Sequence, residues 1–221
     1  MPEIRLKLNE LACERDERVL FSKLTVDYGP GDIVQVAGVN GAGKTTLLRI
    51  ICGLSSNFNG SIAWGEDSNR SYAFRSSLLY LGHAPGLNTS LTPMENLFWY
   101  FGLNGLKSSP APALDKKAFT RQLKQALAET GMGGYEHVPC RMLSAGQQRR
   151  VALARIYCSA APLWVLDEPF TAIDKDGVVA LQKRFAEHAA SGGLILLTSH
   201  QALELDNLQT LDLSAYRGAA P

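Results

Sequence analysis

The octapeptide GVNGAGKT, from Gly38 to Thr45, constrains this chain more than any other stretch of its sequence. It fits the pattern G-x-x-x-x-G-K-[ST] and lies between the apolar run IVQVA and the helical pattern TTLLRIICG. A glycine-rich loop between a buried strand and a helix wraps phosphate with backbone N–H groups, and the helix dipole adds positive potential there. The motif therefore predicts a phosphate-binding site within an α/β fold.

The predicted phosphate-binding residues continue from this loop into the helix. We expect Lys44 to reach the β- and γ-phosphates of a nucleotide, and the hydroxyl of Thr45 to bind Mg²⁺. The complete predicted set in this region is Asn40, Gly41, Ala42, Gly43, Lys44, Thr45 and Thr46.

A second apolar run ends in two acidic residues. LWVL, from Leu163 to Leu166, is followed directly by Asp167 and Glu168. Because the carboxyl ends of parallel strands face the ligand crevice, we expect Asp167 near the Mg²⁺ ion and Glu168 one step further out. There Glu168 could polarise an attacking water. Two solvated charges after a strand are the alternative interpretation, and the phosphate loop upstream argues against it.

The order of the remaining patterns predicts the architecture. Apolar and polar residues alternate in IRLKL and LTVDY within the first thirty residues, which predicts antiparallel strands. We expect the segment from Leu91 to Arg141 to form a helical insertion. Its first helix begins with an N-cap and capping box at Thr92, and KSSPAP (Lys107 to Pro112) predicts a loop after it. From Leu143 helices and strands alternate again, which implies a mainly parallel core sheet.

Composition excludes several classes of function. With 22 basic and 21 acidic side chains the formal net charge is +1, so the chain has no large excess of positive charge that would favour binding to nucleic acid. The four cysteines have no metal-ligand spacing, and we expect buried or idle thiols in a reducing compartment. No apolar run approaches the ~18 residues that span a bilayer, and no signal-peptide pattern opens the sequence. The expectation is a cytoplasmic chain that could still dock on a membrane protein.

Five motifs make the chain resemble the ATP-binding cassette (ABC) family. They are GVNGAGKT, LSAGQ, LWVLDEP, TAID and LLTSH, in the family's order and spacing over nearly the whole chain. The resemblance implies a P-loop NTPase fold of α/β class, with an N-terminal antiparallel β subdomain. It implies one nucleotide-binding domain over residues 1–221, with a helical subdomain at 87–160 that includes the signature helix. It also implies ATP hydrolysis with ATP and Mg²⁺ bound.

The resemblance further implies a homodimer, because two cassettes of this family face each other head to tail. In such a sandwich Ser144, Gly146 and Gln147 would meet the γ-phosphate held by the second copy, and Asp174 would lie across the interface. His200 would touch the γ-phosphate as the family's switch histidine. From the residues alone, a Ser-x-Gly before a helix is usually just a cap, so these roles come from the resemblance.

Some positions depart from the family's pattern or carry no assigned role. Ala84 aligns with a glutamine that usually follows the strand LLYLGH, and alanine cannot contact Mg²⁺ or water. The aromatic residue with which the family usually stacks the adenine is not found, and Arg15 stands near its position; a guanidinium can stack on a base instead. We expect Arg149, Arg150 and Arg155 of the signature helix to be solvated or paired with carboxylates.

Within this family, the chain most resembles the ATP-binding subunits of bacterial cytochrome c maturation (haem exporter) complexes. This closer resemblance rests on the stretches CERDERVLF, LGHAPGL, LSAGQQRRVALAR and DEPFTAIDKDGV. It implies a peripheral ATPase at the cytoplasmic face of the bacterial inner membrane, with integral membrane permease subunits and, indirectly, a haem chaperone as partners. An ABC ATPase for another substrate and a soluble, non-transport ABC ATPase stay open. We expect most of the aromatic run Phe98 to Phe101 in the core of the helical subdomain; whether the surplus forms a groove for a helix of a membrane subunit stays open.

Overall fold

The computed structural model describes residues 4–103 and 116–217, which form two sheets with helices packed on them. The predicted loop KSSPAP lies outside the described residues. The strands are β1 (Leu6–Arg15), β2 (Arg18–Tyr28), β3 (Ile33–Ala37), β4 (Asn59–Trp64), β5 (Asp67–Ser68), β6 (Leu78–Leu81), β7 (Leu163–Leu166), β8 (Leu194–Leu197) and β9 (Leu208–Asp212). The helices are α1 (Lys44–Ile51), α2 (Tyr72–Ser76), α3 (Pro93–Leu103), α4 (Lys116–Glu129), α5 (Ala145–Cys158) and α6 (Lys175–Ala190).

The first sheet is antiparallel, as the alternation near the N-terminus predicts. Its strand order is β2-β1-β4-β5, and the leucines of β1 at positions 6, 8 and 11 are buried on its inner side. A two-residue turn joins β1 to β2, where Asp16 and Glu17 both adopt positive φ of 52° and 61°. Two successive left-handed residues suit the twist of a tight hairpin. Since β2 comes first in the strand order, the second strand of this hairpin forms one edge of the sheet.

The second sheet is parallel, with strand order β6-β7-β8-β3-β9. Every residue of β7 and β8 is buried, which is typical of parallel strands covered on both faces. One face packs against α1 and the first sheet, and the other packs against α5 and α6. The predicted parallel core is confirmed, whereas α2 and β9 were not predicted.

The helices α3, α4 and α5 surround an apolar cluster of their own. Leu97, Phe119, Leu123 and Val151 are buried in it. The predicted capping box at the start of α3 is present: the Thr92 amide donates to Glu95 Oε2 at 2.8 Å, and the Glu95 amide donates to Thr92 Oγ1 at 3.2 Å. Among the described residues no helix is both long and apolar enough to cross a membrane.

The expectation for the arginines of α5 is wrong at two of three positions. Arg150 does pair with a carboxylate, Asp174, at 2.6 Å. Arg149 and Arg155 are buried instead, and their guanidinium groups donate to backbone carbonyls. The reason is the place of α5, which packs against the parallel sheet on one side and the helical cluster on the other. Most of its circumference is therefore removed from water.

The buried His188 makes stability depend on pH. Its ring stacks on Trp164, with centroids 3.6 Å apart and planes 7° from parallel. Burial lowers the pKa of His188 to about 4, and the nearby Arg184 charge acts in the same direction. An unfolded histidine has a pKa of about 6.5, so between these values the unfolded chain binds a proton that the folded chain does not. Stability contributed by neutral His188 is therefore lost as the pH falls from about 6.5 to about 4.

We predict that His188→Phe flattens this part of the pH profile. Phenylalanine keeps a ring against Trp164 but cannot titrate, so the variant should escape a loss of about 3 kcal/mol between pH 6.5 and 4. Urea denaturation at several pH values measures this difference. His137→Phe, at an exposed histidine, is the control and should keep the wild-type slope. Parallel curves for wild type and His188→Phe would contradict the prediction.

Candidate nucleotide site

A cavity of about 630 Å³ opens at the carboxyl edge of the parallel sheet. Its floor is the segment between β3 and α1, and residues of the β1–β2 hairpin form one wall. The lining residues are Arg15, Asp16, Arg18, Leu20, Asn40, Gly41, Ala42, Gly43, Lys44, Thr45, Thr46, His83, Asp167, Glu168, Thr171, Thr198 and His200. The structure thus gathers the predicted phosphate loop, both predicted carboxylates, Arg15 and His200 around one space.

The phosphate loop has a backbone that depends on glycine. Gly43 has φ of 97°, and a Cβ added there would lie 3.1 Å from the Cβ of Leu20. Gly41 has φ of 77°, and nothing lies within 4 Å of where its Cβ would be. The ammonium of Lys44 donates to the Gly38 carbonyl at 2.7 Å, which holds a positive charge across the loop. The helix α1 starts without a side-chain cap, so its first backbone N–H groups are available to a ligand. Together with the Lys44 ammonium, they suit a phosphate group.

Asp167 supplies the buried negative charge of the cavity. Its side chain is 1% exposed, and its Oδ1 accepts hydrogen bonds from Thr45 Oγ1 at 3.2 Å and Thr198 Oγ1 at 2.8 Å. The second oxygen, Oδ2, is buried and has no hydrogen-bond partner among the described residues. A buried carboxylate oxygen left unpaired beside a hydroxyl fits a hard cation such as Mg²⁺.

Glu168 lies next to His200 at the open side of the cavity. Its Oε1 is 3.5 Å from His200 Nε2. The Glu168 backbone adopts φ of 51°, and its amide donates to Thr198 Oγ1 at 2.9 Å. The carboxylate is therefore held near the phosphate loop in a position where it can accept a proton from a water molecule.

Four predicted residues lie outside this cavity. Ser144 caps α5, and Gln147 completes its capping box: the Ser144 amide donates to Gln147 Oε1 at 2.9 Å, and the Gln147 amide donates to Ser144 Oγ at 3.2 Å. Gly146 lies in the first turn of the same helix, and Asp174 caps α6. Within one chain these residues therefore do not line the nucleotide cavity.

The structure adds lining residues that the sequence interpretation missed. Thr198 directly follows β8, and His83 lies two residues after β6. The strand-end argument that located Asp167 would have found both positions, because all three strands end at the same edge. Ala84 lines a neighbouring groove with Trp99 rather than the cavity that contains Glu168.

A model of the ABC transporter family matches residues 21–171 of the chain. This chain belongs to the ABC transporter family. The cytochrome c biogenesis ATP-binding export protein CcmA of Saccharophagus degradans is 55% identical over 210 residues, which cover 95% of this chain and 93% of the relative. CcmA of Escherichia coli K12 is 44% identical over 218 residues, which cover 97% and 99% of the two chains.

Solved structures confirm the predicted fold. A putative ABC transporter ATP-binding protein from Pyrococcus furiosus superposes with a TM-score of 0.77 at 22% identity, over 97% of this chain and all of the other. An ATP-binding subunit of an ABC transporter superposes with a TM-score of 0.75 at 26% identity, over 88% of this chain and 79% of the other. The protein is an ABC ATPase that binds ATP, as predicted.

We predict that Glu168→Gln binds ATP with an affinity within about threefold of wild type, yet loses most of its turnover. The amide keeps the shape of the side chain but cannot accept a proton, and positioned general bases contribute on the order of 10²- to 10⁴-fold. Phosphate release with MgATP measures turnover, and titration with a fluorescent ATP analogue measures affinity. Glu66→Gln, at an exposed turn position, is the matched control. Hydrolysis at the wild-type rate would remove Glu168 from the mechanism.

Proposed function

We propose that this ABC ATPase is the ATP-hydrolysing subunit of a membrane complex for cytochrome c biogenesis. It would couple ATP binding and hydrolysis to haem export or to release of a haem-loaded chaperone. The observation that carries the proposal is similarity of 44% and 55% identity, over nearly complete chains, to relatives named as cytochrome c biogenesis ATP-binding export proteins. Charge balance, with a formal net charge of +1, supports a role without nucleic acid.

The proposed chemistry is hydrolysis of the γ-phosphate in the described cavity. Residues 40–46 would hold the phosphates with backbone N–H groups, and Lys44 would turn from the Gly38 carbonyl to the β- and γ-phosphates. Thr45 and Asp167 would hold Mg²⁺, which supplies neutralisation of charge on the phosphate oxygens. Together these residues would bind the nucleotide and its metal ion.

The Glu168 carboxylate would orient and deprotonate the attacking water. His200, 3.5 Å from Glu168, would contact the γ-phosphate. Arg15 would stack on the adenine.

The proposed working unit is a head-to-tail pair of two copies. Ser144 and Ala145 are exposed at the start of α5, so a second chain can approach this helix N-terminus. Ser144, Gly146 and Gln147 would then present a hydroxyl, amide groups and the helix dipole to the γ-phosphate in the other copy's cavity. Asp174, exposed beside Arg150, would lie at the interface. The α5 helix belongs to the proposed helical subdomain, residues 87–160.

The proposed membrane-facing surface is the groove beside Trp99. The aromatic run divides between core and surface: Phe101 is buried, whereas Trp99 is 51% exposed. Leu54, 54% exposed, lines the same groove. Two exposed apolar side chains that line one groove suit an apolar helix face of a permease subunit. This arrangement would place the protein peripherally, at the cytoplasmic face of the bacterial inner membrane.

Affinity purification from membranes tests the proposed function. Tagged Glu168→Gln protein is recovered from detergent-solubilised membranes of its native host in the presence of MgATP, and co-purifying subunits are identified by mass spectrometry. We expect cytochrome c biogenesis membrane subunits and a haem absorption band. Recovery of a different permease would overturn the haem assignment and keep the transporter ATPase. Recovery of no membrane subunit, with ATP binding intact, would favour a non-transport ABC ATPase.

A surface variant tests the proposed docking groove. Trp99→Ser removes the largest exposed apolar side chain of the groove, so the yield of membrane subunits in the same purification should fall at least about tenfold. Tyr72→Ser, at another exposed aromatic residue outside the groove, is the matched control and should keep the wild-type yield. Thermal denaturation verifies that both variants are folded. Equal yields from the two variants would contradict docking at Trp99.

A further inference from the structure

Arg149 carries a buried positive charge that has no role in the proposed hydrolysis. It lies in the second turn of α5 and is only 4% exposed. Its guanidinium donates four hydrogen bonds, and all four go to backbone carbonyls. Burial lowers the pKa of Arg149, while the carboxylates of Asp167 and Glu168 oppose this effect. An arginine stays charged even so, because its guanidinium does not lose its proton in proteins at ordinary pH.

The four carbonyls belong to two neighbouring strand ends. Nη1 of Arg149 donates to Gly82 at 2.7 Å and His83 at 3.2 Å, just beyond β6. Nη2 donates to Asp167 at 2.9 Å and Glu168 at 2.8 Å, just beyond β7. These strands are paired up to Leu81 and Leu166, and the Asp167 amide still donates to the Leu81 carbonyl at 2.7 Å. Arg149 therefore continues the cross-strand connection where the sheet's own hydrogen bonds end.

The same bonds hold the backbone of Glu168 in an unusual conformation. Its φ of 51° is left-handed, which is uncommon for a residue with a side chain and persists only where the surroundings enforce it. The amide of Glu168 donates to Thr198 Oγ1 at 2.9 Å, and its carbonyl accepts from Arg149 at 2.8 Å. Restraint at both ends of one residue fixes the direction in which its carboxylate leaves the backbone, toward His200.

Arg149 also connects these strand ends to the helix that begins at Ser144. Five residues at about 1.5 Å each place Arg149 roughly 7.5 Å along the helix axis from Ser144. A short helical segment transmits displacement well, because its backbone hydrogen bonds keep it rigid. A movement of the α5 N-terminus therefore reaches the carbonyls of Asp167 and Glu168 through one side chain.

We propose that Arg149 is a positioning residue that joins the signature helix to Glu168 and to the backbone at Gly82 and His83. Through it, the position of α5 sets the position of the carboxylate in the same chain's cavity. The inference rests on the role proposed above for Glu168. In the proposed pair of copies, contact of α5 with one nucleotide would thereby align the catalytic carboxylate at the other.

Arg155 provides a matched comparison within the same helix. It is also 4% exposed, but its Nη2 donates to the Gly86 carbonyl at 2.7 Å, and its guanidinium lies 4.2 Å from the centre of the Tyr100 ring. In the described part of the chain, Arg155 has no hydrogen bond to the carbonyls of Asp167 and Glu168, to which Arg149 donates. Loss of a buried arginine at this position should therefore lower stability without displacing the catalytic carboxylate.

The test compares steady-state kinetics of the full chain with Arg149→Lys, Arg149→Gln and Arg155→Lys. A misplaced catalytic group lowers turnover without weakening ground-state binding, so we expect kcat to fall on the order of 10- to 100-fold at Arg149. KM and the affinity for a fluorescent ATP analogue should stay within about threefold. Lysine keeps the charge and fewer donors, so Arg149→Lys should retain more activity than Arg149→Gln. Arg155→Lys should keep kcat within about threefold.

Several outcomes would overturn the inference. Wild-type kcat in both Arg149 variants would do so, and so would an equal loss of kcat in Arg155→Lys at a similar melting temperature. Arg149→Lys retains the long apolar stem and the charge, so it keeps the test decisive if Arg149→Gln does not fold. Glu168→Gln is measured in parallel. If Glu168→Gln stays active, the proposed role of Glu168 fails; if only the Arg149 variants stay active, the positioning role alone fails.

Discussion

The carboxylate of Asp167, buried at the end of a parallel strand, is the constraint on which the rest of the site depends. An ionised group removed from water is costly unless it is hydrogen-bonded and compensated by charge. Here two hydroxyl groups, from Thr45 on α1 and Thr198 after β8, bond to the same oxygen. Three separate chain segments must therefore meet at one point, and their meeting brings the phosphate loop against the carboxyl edge of the sheet.

The parallel sheet makes this meeting possible. All of its strands end at the same edge, so residues far apart in sequence emerge side by side there. Beyond the last hydrogen bonds between the strands, buried carbonyls need other donors. Arg149 supplies four such bonds from α5. Its buried positive charge also lies near the carboxylates of Asp167 and Glu168. One side chain therefore provides donors for the backbone carbonyls and opposes the negative charge of the two acidic residues.

A single chain holds the parts of the proposed mechanism at two separate places. The cavity contains the phosphate loop, Asp167, Glu168 and His200, whereas the start of α5 lies elsewhere and is partly exposed. Within one chain the two places are connected by packed elements rather than by a shared ligand. The proposed assembly of two copies would give the exposed helix start a ligand, and Arg149 gives it a path to its own cavity.

The sequence by itself determined the fold class and the residues next to its motifs. Local patterns suffice for these, because a glycine-rich loop, an apolar run ending in acids and a capping box each act within a few residues. Arg149, Arg155 and Thr198 were missed or misjudged. Their partners lie 18 to 69 positions away in sequence at Asp167, Gly82 and Gly86, and no local pattern reports such contacts. Only the tertiary structure decided which arginines of α5 are buried, because burial depends on the layers that pack on either side of the helix.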